Sequence, residues 1–292
     1  MNRAAEPTDI FWENMALNSR KRLKRKLITY SVSILLLGIV FFVTLLLDFF
    51  INFLEDETNG GSNILVLLIW ALTFGNSILV AVINLILRAV MRKLTAKERN
   101  KTYTDYNVDV SFKLFFTMFA NTAIIPLATK PSKNNWFGVN GLVVDVYLNL
   151  ILVSFVNPLF YHYNWTLLFK KLRICYEKRK RHHSKITQRE ANKLFEGTNF
   201  DIAKGYADIN MILATTAFYT PLMPLLPIIT ISGLIFHFWL QKYFLFRKCK
   251  IPQHMGERLA MLASANIPLL MFIYSLGQFI FISALSDGAN RF

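Results

Sequence analysis

Cysteine is nearly absent from this chain. Its 292 residues include two, Cys175 and Cys249. Both fall in loops that the charge pattern assigns to the cytoplasm, so neither a disulfide framework nor a cysteine metal site is expected. The five histidines are His162, His182, His183, His237 and His254, and none pairs with a cysteine or carboxylate at metal-ligand spacing. No phosphate-cradling glycine loop, Gly-x-Gly-x-x-Gly or Gly-x-Ser-x-Gly occurs. Nothing therefore points to an enzyme, a cofactor or a metal centre. Residues 1–26 are polar and basic, and the first apolar run is too long for a signal h-region, so no cleaved leader is expected. No internal repeat of 20–50 residues is visible, and no glycosylation sequon lies in a predicted outside loop.

Acidic residues are scarce as well: 18 against 33 Lys and Arg, a net charge of +15. Hydrophobic residues make up 54% and charged residues 17%, a balance that points to lipid rather than to nucleic acid. Several apolar runs reach the roughly 20 residues needed to cross a hydrocarbon core of about 30 Å. The expected spans are 27–54, 64–90, 108–127, 137–161, two within 202–246, and 259–285. The stretch 202–246 is too long for one span, and Pro221, Pro224 and Pro227 divide it into a hairpin turning at 221–227. Pro126 and Pro131 bracket the exit of the third span, and Pro158 lies near the inner end of the fourth. Gly138 and Gly141 open the fourth span, where they serve either bending or close helix packing.

The basic residues alternate between loops. Residues 20–26, 88–101, 170–193 and 242–258 hold 27 of the 33, whereas the opposite loops hold Lys130, Lys133 and Arg291. Lys and Arg near span ends stay cytoplasmic during insertion. The pattern predicts an all-α polytopic helical membrane protein of about seven transmembrane helices, N-terminus inside and C-terminus outside. Its parts are a linker (1–26), four spans (27–161), a cytosolic amphipathic and basic linker (162–202) and three further spans (203–292). Within that linker the mixture of apolar and basic residues after Asn164 predicts an interface-lying helix. Lys170, Lys171, Lys178, Arg179, Lys180 and Arg181 are its candidates for anionic headgroups, the alternative being a solvated topogenic loop.

Polar residues recur inside the spans at helical spacing: Thr44, Asp48 and Asn52; Thr73, Ser77, Asn84 and Arg88; Lys113, Thr117 and Asn121; Asp145 and Asn149, with Asn157 rotated from them; Asp201, Asp208 and Thr215. Each set forms one stripe of its helix. Because a charge at the bilayer centre costs at least about 2.5–3.5 kcal/mol, such stripes face the bundle interior or water. Asp48, Asn84, Asn121, Asp145, Asn149, Asn157 and Asp208 are the candidate pore-lining residues. Asp48 and Asp145, in the outer halves of their spans, would form an acidic mouth that concentrates cations. Ser, Thr and Asn also bond neighbouring helices, Asp48 also suits the headgroup region, and Arg88 and Lys113 lie close enough to inner ends to snorkel. The pattern leaves these roles open.

Two segments resemble a known family. Ala5-Glu6-Pro7-Thr8-Asp9-Ile10-Phe11-Trp12-Glu13-Asn14-Met15 resembles the Pro-x-Asp-Ile-x-Trp-x-Asn-Leu segment of the OSCA-type calcium-permeable stress-gated cation channels, which are related to the anoctamers. Phe200-Asp201-Ile202-Ala203-Lys204-Gly205-Tyr206, followed by Tyr219-Thr220-Pro221-Leu222-Met223-Pro224-Leu225-Leu226-Pro227-Ile228, is similar to that family's proline-rich hairpin, and Lys242 to Arg247 to its basic inner turn. The pattern looks closest to protist members. The resemblance covers nearly the whole chain but only the C-terminal transmembrane part of the family, and it equates the first five spans with the family's third to seventh helices. It implies a mechanically or osmotically gated, non-selective cation channel subunit whose fourth span is the gating helix. Its partners would be cations, membrane lipids and either a second copy or an N-terminal part of the same architecture. A lipid scramblase of the same superfamily and a structural subunit of a larger membrane assembly are the alternatives.

Overall fold

A backbone surrounded by lipid has no water to bond, so it must satisfy its own donors and acceptors, and helices do so within one segment. The computed structural model describes residues 7–57, 63–131, 136–138, 141–162, 165–180, 186–197, 199–250 and 258–289. Among the described residues there is no strand. The helices are α1 (Ser19–Glu57), α2 (Asn63–Lys97), α3 (Tyr103–Thr129), α4, α5 (Trp165–Lys180), α6 (Gln188–Phe195), α7 (Ile202–Tyr219), α8 (Leu226–Arg247), α9 (Arg258–Ala265) and α10 (Ile267–Ala289). The fourth, α4, runs through Leu142–Ile151, Leu152–Val156 and Asn157–His162. Six of them, α1, α2, α3, α4, α8 and α10, are long and apolar enough to cross a membrane. The chain is an all-α polytopic membrane protein.

The predicted fifth span, α7, is not among these six. Lys204, Asp208 and Asn210 make it too polar to face lipid, and it does not face lipid. It packs against α3, α8 and α10, and most of its residues, from Ala203 to Tyr219, are buried. Its 18 residues span about 27 Å at 1.5 Å per residue, close to the hydrocarbon thickness. The proline hairpin forms as expected. Met223 N donates to Tyr219 O (2.9 Å) as α7 ends, Pro227 sits in the first turn of α8, and the Thr216 and Thr230 hydroxyls bond across the turn. The predicted single span 259–285 is instead two helices separated at Asn266. Pro268 in the first turn of α10 cannot continue a helix from before it.

Both α3 and α4 contain a π-helical stretch, Ala120–Ile124 and Leu152–Val156. Each stretch ends two residues before a proline, Pro126 and Pro158. The proline ring crowds the carbonyl four residues earlier and offers it no N–H. A widened turn accommodates both defects. Those four-back residues are Thr122 and Ser154, both buried. The two glycines of the fourth span lie outside its helix, which is a correction to the sequence reading. Gly141 is the residue before the first turn, and a Cβ there would come 2.5 Å from Trp136 O and 2.7 Å from Gly138 O. Gly141 serves a tight turn around the buried Trp136 ring, which donates to Lys130 O (3.0 Å).

The helix α3 starts at Tyr103, earlier than the apolar run, because cap chemistry extends it. Thr102 accepts from Asp105 N, and Asp9 accepts from Thr104 N (2.9 Å). The Asp-Ile-x-Trp segment is thereby docked on the turn between α2 and α3. Phe11 N donates to Lys101 O (2.8 Å) and Asn14 Nδ2 to Asn100 O (2.9 Å). The same turn reverses at Arg99, whose φ is 56°. Arg25 donates to Lys97 O, a carbonyl that the end of α2 leaves without a helical partner, and Arg22 donates to Arg99 O in the turn. Part of the basic cluster in the first turns of α1 therefore caps the end of α2.

The apolar core joins α3, α4, α7 and α10 through Leu114, Phe115, Met118, Val146, Met211 and Phe281. Helix α10 closely approaches α7 at Gly277, where a Cβ would overlap the Phe218 backbone carbonyl. Gly277→Val is expected to cost about 1–3 kcal/mol, seen as a lower unfolding temperature in detergent. Gly75→Ala, with open space around it, is expected to leave that temperature within error of wild type.

Candidate functional site

Burying a charge stabilises a structure only if the charge is met. The interior of the bundle is organised by that requirement into a column of polar layers. In the outer layer the Lys130 ammonium, on the residue just past α3, pairs with Asp145 in the first turn of α4. It also lies 3.7 Å from Asp48 Oδ1 on α1. All three residues are buried.

The middle layer holds Asn84 of α2 and Asn121 of the π-helical stretch in α3. Asn121 Nδ2 donates to Asn84 Oδ1 (2.8 Å) and to Val80 O (3.3 Å). Nearby, the Thr122 and Thr215 hydroxyls lie 3.4 Å apart, and Tyr219 Oη donates to Ala123 O (2.7 Å). Asn149, one turn after Asp145, is buried, and its Oδ1 has no hydrogen-bond partner.

The inner layer centres on Asp208 of α7. Arg88 NH2 of α2 lies 2.8 Å from its Oδ1, and Lys204 Nζ lies 3.9 Å from its Oδ2. Arg92 and Asp201 pair next to it. A cavity of about 20 Å3 adjoins Lys204, Asp208, His237 and Gln241, room for about one water. Asn157 is buried with Nδ2 lacking a partner. Beside the column, Lys113 Nζ meets both Glu98 oxygens at 2.6 and 2.5 Å, with side-chain exposures of 1% and 0%.

Every predicted pore-lining residue is thus buried within this column. Several predicted roles change. Asp48 and Asp145 do not form an open acidic mouth, because Lys130 stands between them. Arg88 and Lys113 do not snorkel, because Asp208 and Glu98 meet them inside. Asn52 turns outward, away from Thr44 and Asp48. Sequence reasoning missed Lys130, which charge counting assigned to an outer loop, and Glu98. The signal for Glu98 was present: it is the one acid in the basic run 88–101.

The basic linker stands apart from the column. In α5, Lys171, Lys178, Arg179 and Lys180 are exposed, while Lys170 Nζ donates to Glu196 O (3.0 Å). Phe169, Leu172 and Tyr176 are exposed at i, i+3 and i+7, an apolar stripe amid the cations. Arg181 lies outside the described residues, as do Lys133 and Arg291. An apolar cavity of about 670 Å3 opens between α1, α3 and α10, lined among others by Ile34, Phe112, Phe116 and Phe272. It takes in none of the column's layers.

Comparison of the chain with protein-family models finds no match, and comparison with curated proteins finds none.

Lys113→Met leaves Glu98 charged and alone, and its expected cost is about 3–5 kcal/mol. The double variant Lys113→Met with Glu98→Gln removes the charge imbalance and is expected to recover most of that loss. Thermal unfolding of the purified variants in detergent compares the two.

Proposed function

We propose that this chain is the pore-forming region of a tension-gated cation channel. The observation that carries the reading is the column itself, in which charged and amide side chains from α1, α2, α3, α4 and α7 line up inside a lipid-facing bundle. Helix packing alone needs few buried charges, since interhelical polar contacts contribute only about 0.6 kcal/mol each. Intramembrane ionisable groups mark ion or substrate paths by default. The column is closed by its own contacts, as expected of a resting pathway that opens when the helices part. The π-helical stretches of α3 and α4 border the column, where a turn already widened is easier to rearrange. Helix α5 supports coupling to the inner leaflet, because its cations suit anionic headgroups and its apolar stripe suits the acyl boundary. The resemblance of the Asp-Ile-x-Trp and proline-hairpin segments to stress-gated channels supports the same reading.

A second reading is a structural subunit of a larger membrane assembly. It is favoured by the mutual satisfaction of Asn84 with Asn121 and of Arg88 with Asp208, contacts that also hold helices together.

Pressure steps on patches from reconstituted liposomes are expected to evoke cation current. Correctly oriented protein that stays silent at lytic tension refutes the channel reading. Replacing Asn121, Asp145 and Asn149 together by apolar residues separates the two readings. Retained assembly with lost current supports a pathway, whereas lost assembly supports a structural role. Replacing Lys178, Arg179 and Lys180 by Gln is expected to raise the pressure needed for half-maximal current without changing its amplitude.

A further inference from the structure

Among the described residues, the outer layer does not balance. Two carboxylates, Asp48 and Asp145, share one ammonium, Lys130, and all three are buried. Lys130 reaches Asp145 through Oδ2. The other Asp145 oxygen, Oδ1, has no hydrogen-bond partner, and Asp48 Oδ1 has none within bonding distance. The first turn of α4 lends Asp145 a partial positive field, but it puts no ligand on these oxygens.

The imbalance extends inward. Asn149 follows Asp145 by one turn on the same face of α4, and its Oδ1 is buried without a partner. The Oδ1 atoms of Asn76 and Asn121, on the adjoining α2 and α3, are also buried and unpartnered. Around the inner layer the sign reverses. There the unpartnered atoms of Arg88 and Asn157 are nitrogens, and in the middle layer Asn84 leaves an Nδ2 beside the spare Oδ1 of Asn121. The outer half of the column is therefore rich in spare oxygen acceptors, two of them on carboxylates.

An unmet buried carboxylate oxygen is costly, and its cost falls when a cation or a proton meets it. Hard oxygen donors select alkali and alkaline-earth cations over the softer transition metals. We propose that the Asp48–Lys130–Asp145 layer is a cation site in which the Lys130 ammonium acts as a tethered occupant, and that a small hard cation competes with it for the two carboxylates. The Lys130 backbone is held by Trp136 Nε1 through its carbonyl, so the competition is settled by the side chain. A divalent ion suits the exchange best. Once the ammonium withdraws, two positive charges neutralise the two carboxylates, and Asn149 Oδ1 with water fills the oxygen shell that Ca2+ requires. The proposal deepens the channel reading, on which it rests for any consequence in flux.

The test reads binding without flux. Purified protein in a non-ionic detergent is unfolded thermally across a CaCl2 series, with choline chloride holding ionic strength constant. Wild type is expected to gain stability as Ca2+ rises. Lys130→Met, lacking the tethered competitor, is expected to reach half its shift at a Ca2+ concentration at least tenfold lower. Asp48→Asn leaves Lys130 and Asp145 as a one-to-one pair, so it is expected to fold and to lose the Ca2+ response. A wild-type response that Asp48→Asn retains in full overturns the site, as does the absence of any wild-type response. So does a folded Lys130→Met that responds no more sensitively than wild type. An outer layer balanced by a shared proton would give that absence. Protein that conducts under tension without these shifts loses the site and keeps the channel reading. Protein that shows the shifts and stays silent under tension loses the channel reading and keeps the site.

Discussion

Compensation of buried charge is the constraint on which the arrangement of these helices depends. Lys130 joins the end of α3 to α1 and α4. Arg88 joins α2 to α7 through Asp208, and Arg92 joins the same two elements through Asp201. Lys113 of α3 meets Glu98 just past the end of α2. Desolvation offsets much of the attraction within each pair, so their net stabilisation is modest while the loss of one partner is severe. We read them chiefly as devices of register: a slide of one helical turn, about 5.4 Å, would separate every pair at once. Such a slide would leave several charges unmet in a medium that has no water to meet them.

The lipid-facing side obeys a different rule. In the most apolar stretch of α1, 17% of the residues are buried, against 72% in α3. Phe42, Leu46, Phe49 and Phe53 on α1 and Ile231, Ile235, Phe238 and Trp239 on α8 face outward, as acyl chains permit. Polarity rises toward α3 and α7, which are shielded by their neighbours. The protein is thus layered radially, with apolar helices outside and charged ones within, and the column follows from that layering.

This radial order explains what could be read in the sequence. Long apolar runs revealed α1, α2, α8 and α10, and the three prolines revealed the α7–α8 turn, because both signals are local. The four- and seven-residue spacing of the polar stripes that hold Asp48, Asn84, Asn121, Asp145 and Asp208 revealed inward faces, because helix periodicity is local too. Partnership was not legible. Lys130 follows an apolar run and precedes a polar loop, so nothing nearby tells that its ammonium folds back onto Asp145, 15 residues on. The starts of α3 and α4 lie five residues from where hydropathy puts them, because Thr102, Asp9 and the Trp136 turn set them. The break at Asn266 and the two π-helical stretches do have local marks, Pro268, Pro126 and Pro158. Their meaning becomes clear when each proline is set beside the residue four before it.

The polarity of α7 bears on how the protein is made. A segment carrying Lys204, Asp208 and Asn210 does not partition into lipid alone, since each charge near the centre costs at least about 2.5 kcal/mol on insertion scales. Helix α8 follows after a six-residue turn, and its apolar length offers the hydrophobicity that α7 lacks. The pair is therefore expected to enter the membrane as one unit, with α7 sheltered between α8 and the helices already in place. Arg88 of α2 is then waiting for Asp208 when it arrives. The order of synthesis, with α2 and α3 well before α7, places each counter-charge ahead of the residue that needs it.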